Sequence, residues 1–207
     1  MERQLINYKT LLNVTKVISH SKDPEEVALM TVESIKHALG AKGCALFLIN
    51  RKTNMLELAT SYGLSKEYIN KGPLNSLRSI AQSLEEGPVA ICDVMDDPRI
   101  QYPEEAKKEG IASILSVPII VGGNIMGAMR VYTSEAWDFT LEDVNFVQAL
   151  AELAGMSISM AKYSKGLKSS IEVLKTMREV EIHKSTRRTP YEGVPVSVSS
   201  KELPMHA

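Results

Sequence analysis

Ser113-Ile114-Leu115-Ser116-Val117-Pro118-Ile119-Ile120 and Ile125-Met126-Gly127-Ala128-Met129-Arg130-Val131-Tyr132 flank the tripeptide Gly122-Gly123-Asn124. Two apolar runs around a Gly-Gly-Asn turn predict an antiparallel hairpin. Pro118 cannot donate a ladder hydrogen bond, so it marks a bulge or the free side of its strand. Side chains alternate along a strand. Met129 and Val131 therefore suit a helix-packed face, which leaves Ala128, Arg130 and Tyr132 on the opposite one. An arginine in the middle of a sheet must find a partner, because an unpaired buried charge is strongly destabilising. Three placements are open. Arg130 meets an internal acid such as Asp93 or Asp97, it awaits an anionic ligand suited to its fixed fork of donors, or it faces outward.

Upstream, Cys44-Ala45-Leu46-Phe47-Leu48-Ile49 is a short continuous apolar run, as expected of a strand buried on both faces. The polar Arg51-Lys52-Thr53-Asn54 joins it to a second strand, Met55–Thr60, and so short a link requires an antiparallel hairpin. Residues 61–74 read as loop, Asn75 to Glu86 as a short amphipathic helix, and Val89-Ala90-Ile91-Cys92 as a third strand. Asp93 to Gly110 reads as an irregular connection with a short helix near 103–109. At the N-terminus, Leu5, Tyr8, Leu12 and Val17-Ile18 predict a helix over 2–20. Asp23-Pro24-Glu25-Glu26 then caps a second helix that ends at Gly40. At the other end Thr140 and Asp143 form a capping box opening a helix from Leu141 to about Val180. Hairpins with helices to one side predict an α+β fold with one central antiparallel sheet. The expected division is an N-terminal dimerisation helix (1–22), a core (23–160), a helical extension (161–182) and a disordered tail (183–207).

The bulk composition narrows the function. Among 207 residues, Lys+Arg 24 against Asp+Glu 25 leaves a net charge of -1, with no long-range field for nucleic acid or an anionic membrane. The one dense basic stretch, His183 to Arg188, reads as solvated charge. Cys44 and Cys92 have no CxxC spacing, the N-terminus has no apolar signal region, and no stretch approaches the roughly 18 apolar residues of a membrane span. The expectation is a soluble cytoplasmic protein with neither nucleic-acid nor membrane partners. Gly-x-Ser-x-Gly, P-loop and HExxH patterns are lacking, the four histidines are scattered, and adjacent acids such as Glu85-Glu86 read as solvated charge. Catalysis is not expected.

Three segments carry a resemblance to the GAF domain family, which spans about residues 5–165. The first combines Asp97-Pro98-Arg99, Glu109-Gly110-Ile111-Ala112-Ser113 and Leu115-Ser116-Val117-Pro118-Ile119; the second is Gly123 through Val131. The third is Phe139-Thr140-x-x-Asp143 leading into Ala149-Leu150-Ala151-x-Leu153-Ala154. The resemblance implies a PAS/GAF-like sheet of five or six antiparallel strands, with terminal helices on one face. A small-molecule pocket would lie on the other, under residues 61–87 and 93–112. It implies a bacterial signalling sensor, or a ligand-free dimerisation scaffold; members bind cyclic nucleotides, bilins, haem, iron or metabolites.

No cofactor is identified from the motifs. The cyclic-nucleotide signature is only partly kept by Phe139 and Asp143, since Val144 replaces its acid. Cys92 sits in a predicted strand rather than a bilin-linking loop, and residues 38–182 contain no histidine for haem. The reductase branch of the family, which acts on free methionine sulfoxide, needs cysteine motifs that Cys44 and Cys92 do not match. The candidate pocket is Arg130 with Tyr132, Cys92, Ser116, Arg99 and Tyr102, and its expected ligand is small and anionic or carbonyl-bearing. Met160, Tyr163, Leu167, Leu174 and Met177 recur at a/d spacing, with Ser170 the polar exception. Those residues predict a coiled coil, and a homodimer through residues 2–20 and 141–180.

Overall fold

Local capping sets the helix boundaries. The Asp23 carboxylate accepts the Glu25 backbone N–H at 3.0 Å, Pro24 occupies the first helical position, and Gly40 closes the helix at φ 63. Thr140 and Asp143 cap each other: Thr140 N–H and Oγ1 donate to the Asp143 carboxylate, and Asp143 N–H donates back to Thr140 Oγ1. The computed structural model describes residues 2–21, 23–53, 55–72, 74–75 and 87–186. In chain order the elements are α1 (Glu2–His20), α2 (Pro24–Leu39), β1 (Gly43–Asn50), β2 (Met55–Tyr62), α3 (Lys66–Ile69) and β3 (Leu74–Asn75). After them come β4 (Val89–Ile91), α4 (Pro103–Glu109), β5 (Ser113–Val121), β6 (Asn124–Thr133) and α5 (Leu141–Thr186).

The strands form one six-stranded antiparallel sheet in the order β3-β2-β1-β6-β5-β4. β1 and β6 are central, and alternation sorts their side chains cleanly. Cys44, Leu46, Met129 and Val131, with Leu115, Val117 and Ile119 of β5, pack against Val32 and Ile35 of α2 and Val147, Leu150 and Ala151 of α5. Ala45, Phe47, Ala128, Tyr132 and Ile114 face the other way, against Tyr68, Ile91, Val94, Ala106 and Ile111. The two-sided burial expected of the Cys44–Ile49 run is observed, as is the assignment of faces along β6. Pro118 lies beyond the β5 residues paired with β4, so its missing N–H breaks no bond on that side; its carbonyl accepts from Gln148 Nε2 at 3.0 Å. A register shift follows between Ile119 and Ile120.

Some segments differ from the sequence reading. Residues 61–74 are not simply loop: β2 runs on to Tyr62, and Ser65 caps α3 by accepting the Tyr68 N–H at 3.1 Å. Asn75 belongs to β3, paired with Met55, and the rest of the helix expected from Asn75 to Glu86 lies outside the described residues. β4 stops at Ile91, which leaves Cys92 exposed beyond the strand. α5 continues to Thr186, past Val180 and into the segment read as tail; residues 187–207 lie outside the described set. The part of α5 from Leu141 to Arg178 is long and apolar enough to cross a membrane by length and composition. Its Phe146, Val147, Leu150, Ala151, Ala154 and Ile158 are, however, buried in the core beside the sheet. Contacts divide the chain into two units, Met1–Tyr163 and Ser164–Ala207.

At the centre of the sheet, β1 and β6 leave no room for a side chain at Gly127. A Cβ there would stand 2.0 Å from the Phe47 carbonyl oxygen. The Gly127→Ala protein is expected to lose about 2 kcal/mol or more in urea unfolding; an unchanged midpoint would refute this close approach.

Candidate functional site

Arg130 lies on β6 directly between Ala45 of β1 and Ser116 of β5. Residues paired across a ladder point to the same face, so all three sit on the side away from α2 and α5. Arg130 is 4% exposed, and among the described residues its Nε and Nη2 have no hydrogen-bond partner; neither does Ser116 Oγ, which is also buried. The guanidinium carbon is 5.4 Å from the centre of the Phe47 ring. The Tyr132 hydroxyl, two residues along the same face, is pushed up to about 12 by burial, with the Arg130 charge and hydrogen bond pulling the other way.

The acids expected to neutralise Arg130 are engaged elsewhere. Asp97 is held by Arg99, whose guanidinium donates to both carboxylate oxygens and lowers its pKa, and Asp93 accepts the Met95 N–H at 2.8 Å. Among the described residues no carboxylate forms an ion pair with Arg130. Asp93 and Asp97 are therefore not its partners, and burial removes the outward placement. Arg99 is exposed and serves Asp97, so the structure does not bring it into the pocket; Cys92 is exposed, and its carbonyl accepts from Ser113 Oγ at 2.7 Å. Ser116 and Tyr132 do meet Arg130. Tyr102 is half-buried and abuts Gly72, where an added Cβ would lie 2.6 Å from the Tyr102 hydroxyl.

A cavity of about 380 Å³ opens beside this group. Ala45, Phe47 and Tyr132 of the central strands, Leu56 and Glu57 of β2, and Tyr68 and Lys71 line it; Arg130, the ladder partner of Ala45, is not itself among its lining residues. Tyr68 meets Tyr132 edge-on with ring centres 5.7 Å apart. Lys71 Nζ sits 3.5 Å from the Tyr68 ring centre and donates to the Tyr68 carbonyl at 3.0 Å. Burial, then the Arg130 charge, lower the Lys71 pKa to about 8, against smaller opposing effects of Glu105 and Glu109. Glu109 itself accepts from the Ser65 N–H at 2.9 Å and from the Ser65 hydroxyl. Burial raises the Tyr68 pKa, so that phenol stays protonated.

Lys71 and Tyr68 were not among the sequence candidates. The available signal was a tyrosine and a lysine three residues apart in a segment already expected to roof the pocket.

Lys71 thus carries positive charge into a mainly apolar cavity, and Arg130 Nε, Arg130 Nη2 and Ser116 Oγ are unfilled among the described residues. The Lys71 ammonium is disfavoured in the fold, so its cost applies in full below about 8 and disappears as pH rises toward its ordinary value of 10.5. Lys71→Gln is therefore expected to raise Tm near neutrality, by a margin that shrinks steadily on going to alkaline pH. A margin that grows with pH would contradict this electrostatic picture.

Residues 21–159 match the family profile described as GAF domain. The methyl sulfide methyltransferase-associated sensor of Methanosarcina acetivorans is 24% identical over 173 residues, which covers 79% of this chain and 17% of that protein. The chain thus spans only a small part of the curated relative's length. The GAF domain from a phosphoenolpyruvate-protein phosphotransferase of Coxiella burnetii superposes with a TM-score of 0.71 at 22% identity, covering 78% of this chain and 98% of that one. The free methionine-R-sulfoxide reductase from Neisseria meningitidis, solved with its substrate, gives 0.67 at 17% identity, covering 79% and 94%. At such identities the two structures speak for the fold alone. With a six-stranded sheet of this topology and the family profile matched across most of its length, the chain belongs to the GAF domain family.

Proposed function

We propose that this GAF domain is a non-catalytic, cytoplasmic sensory module that binds a small anionic or carbonyl-bearing ligand at Arg130 and works as a homodimer. The observation that carries the reading is the buried guanidinium with Nε and Nη2 unpartnered beside the unpartnered Ser116 Oγ. Buried donors are almost always satisfied, and a carboxylate or comparable anion would supply the acceptors these atoms do not find among the described residues. The match to a curated sensor agrees with that role. The reductase alternative finds no support in the thiols. Cys44 is buried on the helix-packed face, and burial raises its pKa; Cys92 follows β4, three strand spacings or roughly 14 Å from β1.

A thermal-shift screen of small carboxylates and phosphates tests the site. A ligand present at 100 times its dissociation constant is expected to stabilise by about 2.7 kcal/mol, and Arg130→Met to abolish that shift while the variant stays folded. An Arg130→Met protein that unfolds, together with no anion raising the wild-type Tm, would make Arg130 a structural residue and the domain a scaffold.

The partner half of the proposal rests on Leu167, Leu174 and Met177, all exposed and repeating at a/d spacing along α5. An isolated helical segment gains most of its stability from packing such a stripe, and a second copy of the same seam is its natural complement. Light scattering of the double variant Leu167→Glu, Leu174→Glu is expected to report a monomer where the unaltered chain is a dimer; equal masses for the two would rule out that seam.

A further inference from the structure

We propose that the cavity bounded by β1, β2, α3 and β3 is a binding site in its own right, for a hydrophobic monocarboxylate whose acid group pairs with Lys71. This site is separate from the one proposed at Arg130 and does not depend on it.

Space, lining and charge each point to such a ligand. The cavity holds about 380 Å³, within the range of roughly 300–1,000 Å³ in which small-molecule sites fall. Its lining is mainly apolar: Phe47 and Leu56 of the sheet share it with Leu64, Tyr68, Ile69 and Leu74. Water finds few polar partners on such a surface, whereas an apolar ligand body would remove that surface from solvent.

Lys71 brings a cation to this lining. Its Nζ is fixed by the Tyr68 carbonyl at 3.0 Å and by the Tyr68 ring, 3.5 Å from the ring centre. Tyr68 is itself buried and set edge-on against Tyr132, so the ammonium is in place before any ligand arrives. An ammonium has three donors, and the Tyr68 carbonyl takes one. Among the described residues no carboxylate forms an ion pair with Lys71. Glu57, the acid that shares the lining, is exposed and accepts from Asn50 Nδ2 at 2.7 Å. Glu105 and Glu109 of α4 favour the ammonium from beyond ion-pair distance, and Glu109 is bonded to Ser65.

These features narrow the ligand class. A single fixed ammonium calls for one negative group. A second charge on the ligand would be stranded among Leu56, Ile69 and Leu74. A neutral alcohol of the same shape fills the space but leaves the ammonium without its counter-charge. An acid with an aliphatic or single-ring body meets both demands.

The test is isothermal titration calorimetry of the full chain near pH 7 with straight-chain carboxylates from butanoate to octanoate, and with octanol. Affinity should rise roughly two- to fourfold for each added methylene, and octanoate should bind at least tenfold more tightly than octanol. Lys71→Gln, expected to be more stable than the wild type near neutrality, should weaken octanoate at least tenfold and leave octanol within a factor of two. Ile69→Trp narrows the cavity and should weaken both ligands at least tenfold; Lys71→Gln keeps the test decisive should that variant not fold. Arg130→Met should leave octanoate within a factor of two. An affinity flat with chain length overturns the site. So does octanoate binding that Lys71→Gln leaves unaltered, as uptake by the exposed apolar stripe of α5 would be. Loss of octanoate in Arg130→Met but not in Lys71→Gln also overturns it, and gives the carboxylate to Arg130. If octanoate does not bind at all, this site is overturned, while the screen of small carboxylates and phosphates still decides the one at Arg130.

Discussion

The arrangement depends on the burial of both faces of β1 and β6. A strand covered on one side tolerates charge on the other, because water solvates it. Here no such outlet exists, and every side chain must suit either the helix-packed core or the pocket side. Met129 and Val131 join the first, while Ala128, Arg130 and Tyr132 are committed to the second by the two-residue period alone. Shifting β6 by one residue would drive the guanidinium into Leu46 and Val117 territory, so the register is strongly specified.

That commitment makes the pocket side electrostatically unusual. A buried guanidinium normally persists because acids or carbonyls surround it, whereas here it lies between Ala45 and Ser116 in the ladder, near the Phe47 ring and bonded to Tyr132, and no described carboxylate pairs with it. The second cation, Lys71, adds charge of the same sign. The acids that oppose this field, Glu105 and Glu109, belong to α4, and Glu109 is occupied in fastening Ser65 at the start of α3. The Glu109–Ser65 hydrogen bonds thus tie α4 to the start of α3, beside the cavity that Tyr68 and Lys71 line.

Much of the fold was legible because the deciding signals are local. Gly122-Gly123-Asn124, Asp23-Pro24 and Thr140-x-x-Asp143 each specify a turn or cap from adjacent residues, and each appears as read. The site was half legible. Alternation along β6 located Arg130 and Tyr132, and Ser116 follows from strand pairing. Asp97 misled because an arginine two residues away, in the same turn, reaches it more easily than one across the sheet. Lys71 and Tyr68 escaped because residues 61–74 carry no period; only the fold shows that this segment closes over β1 and β2. Cys92 looked like a strand residue by hydropathy, but β4 pairs through only Val89 to Ile91, and the chain leaves the sheet one residue earlier.

The same division of faces bears on signalling. A ligand shifts a conformational equilibrium only as far as it binds two states differently. On the pocket side, an anion at Arg130 would change the energy of β6 itself, because it would satisfy two donors that are unmet among the described residues. Across the same strand, one residue on either side, Met129 and Val131 are packed in a continuous core with Val147, Leu150 and Ala151 of α5. Such cores are close-packed and transmit small displacements instead of absorbing them. The strand that carries Arg130 is therefore also the strand against which α5 is packed.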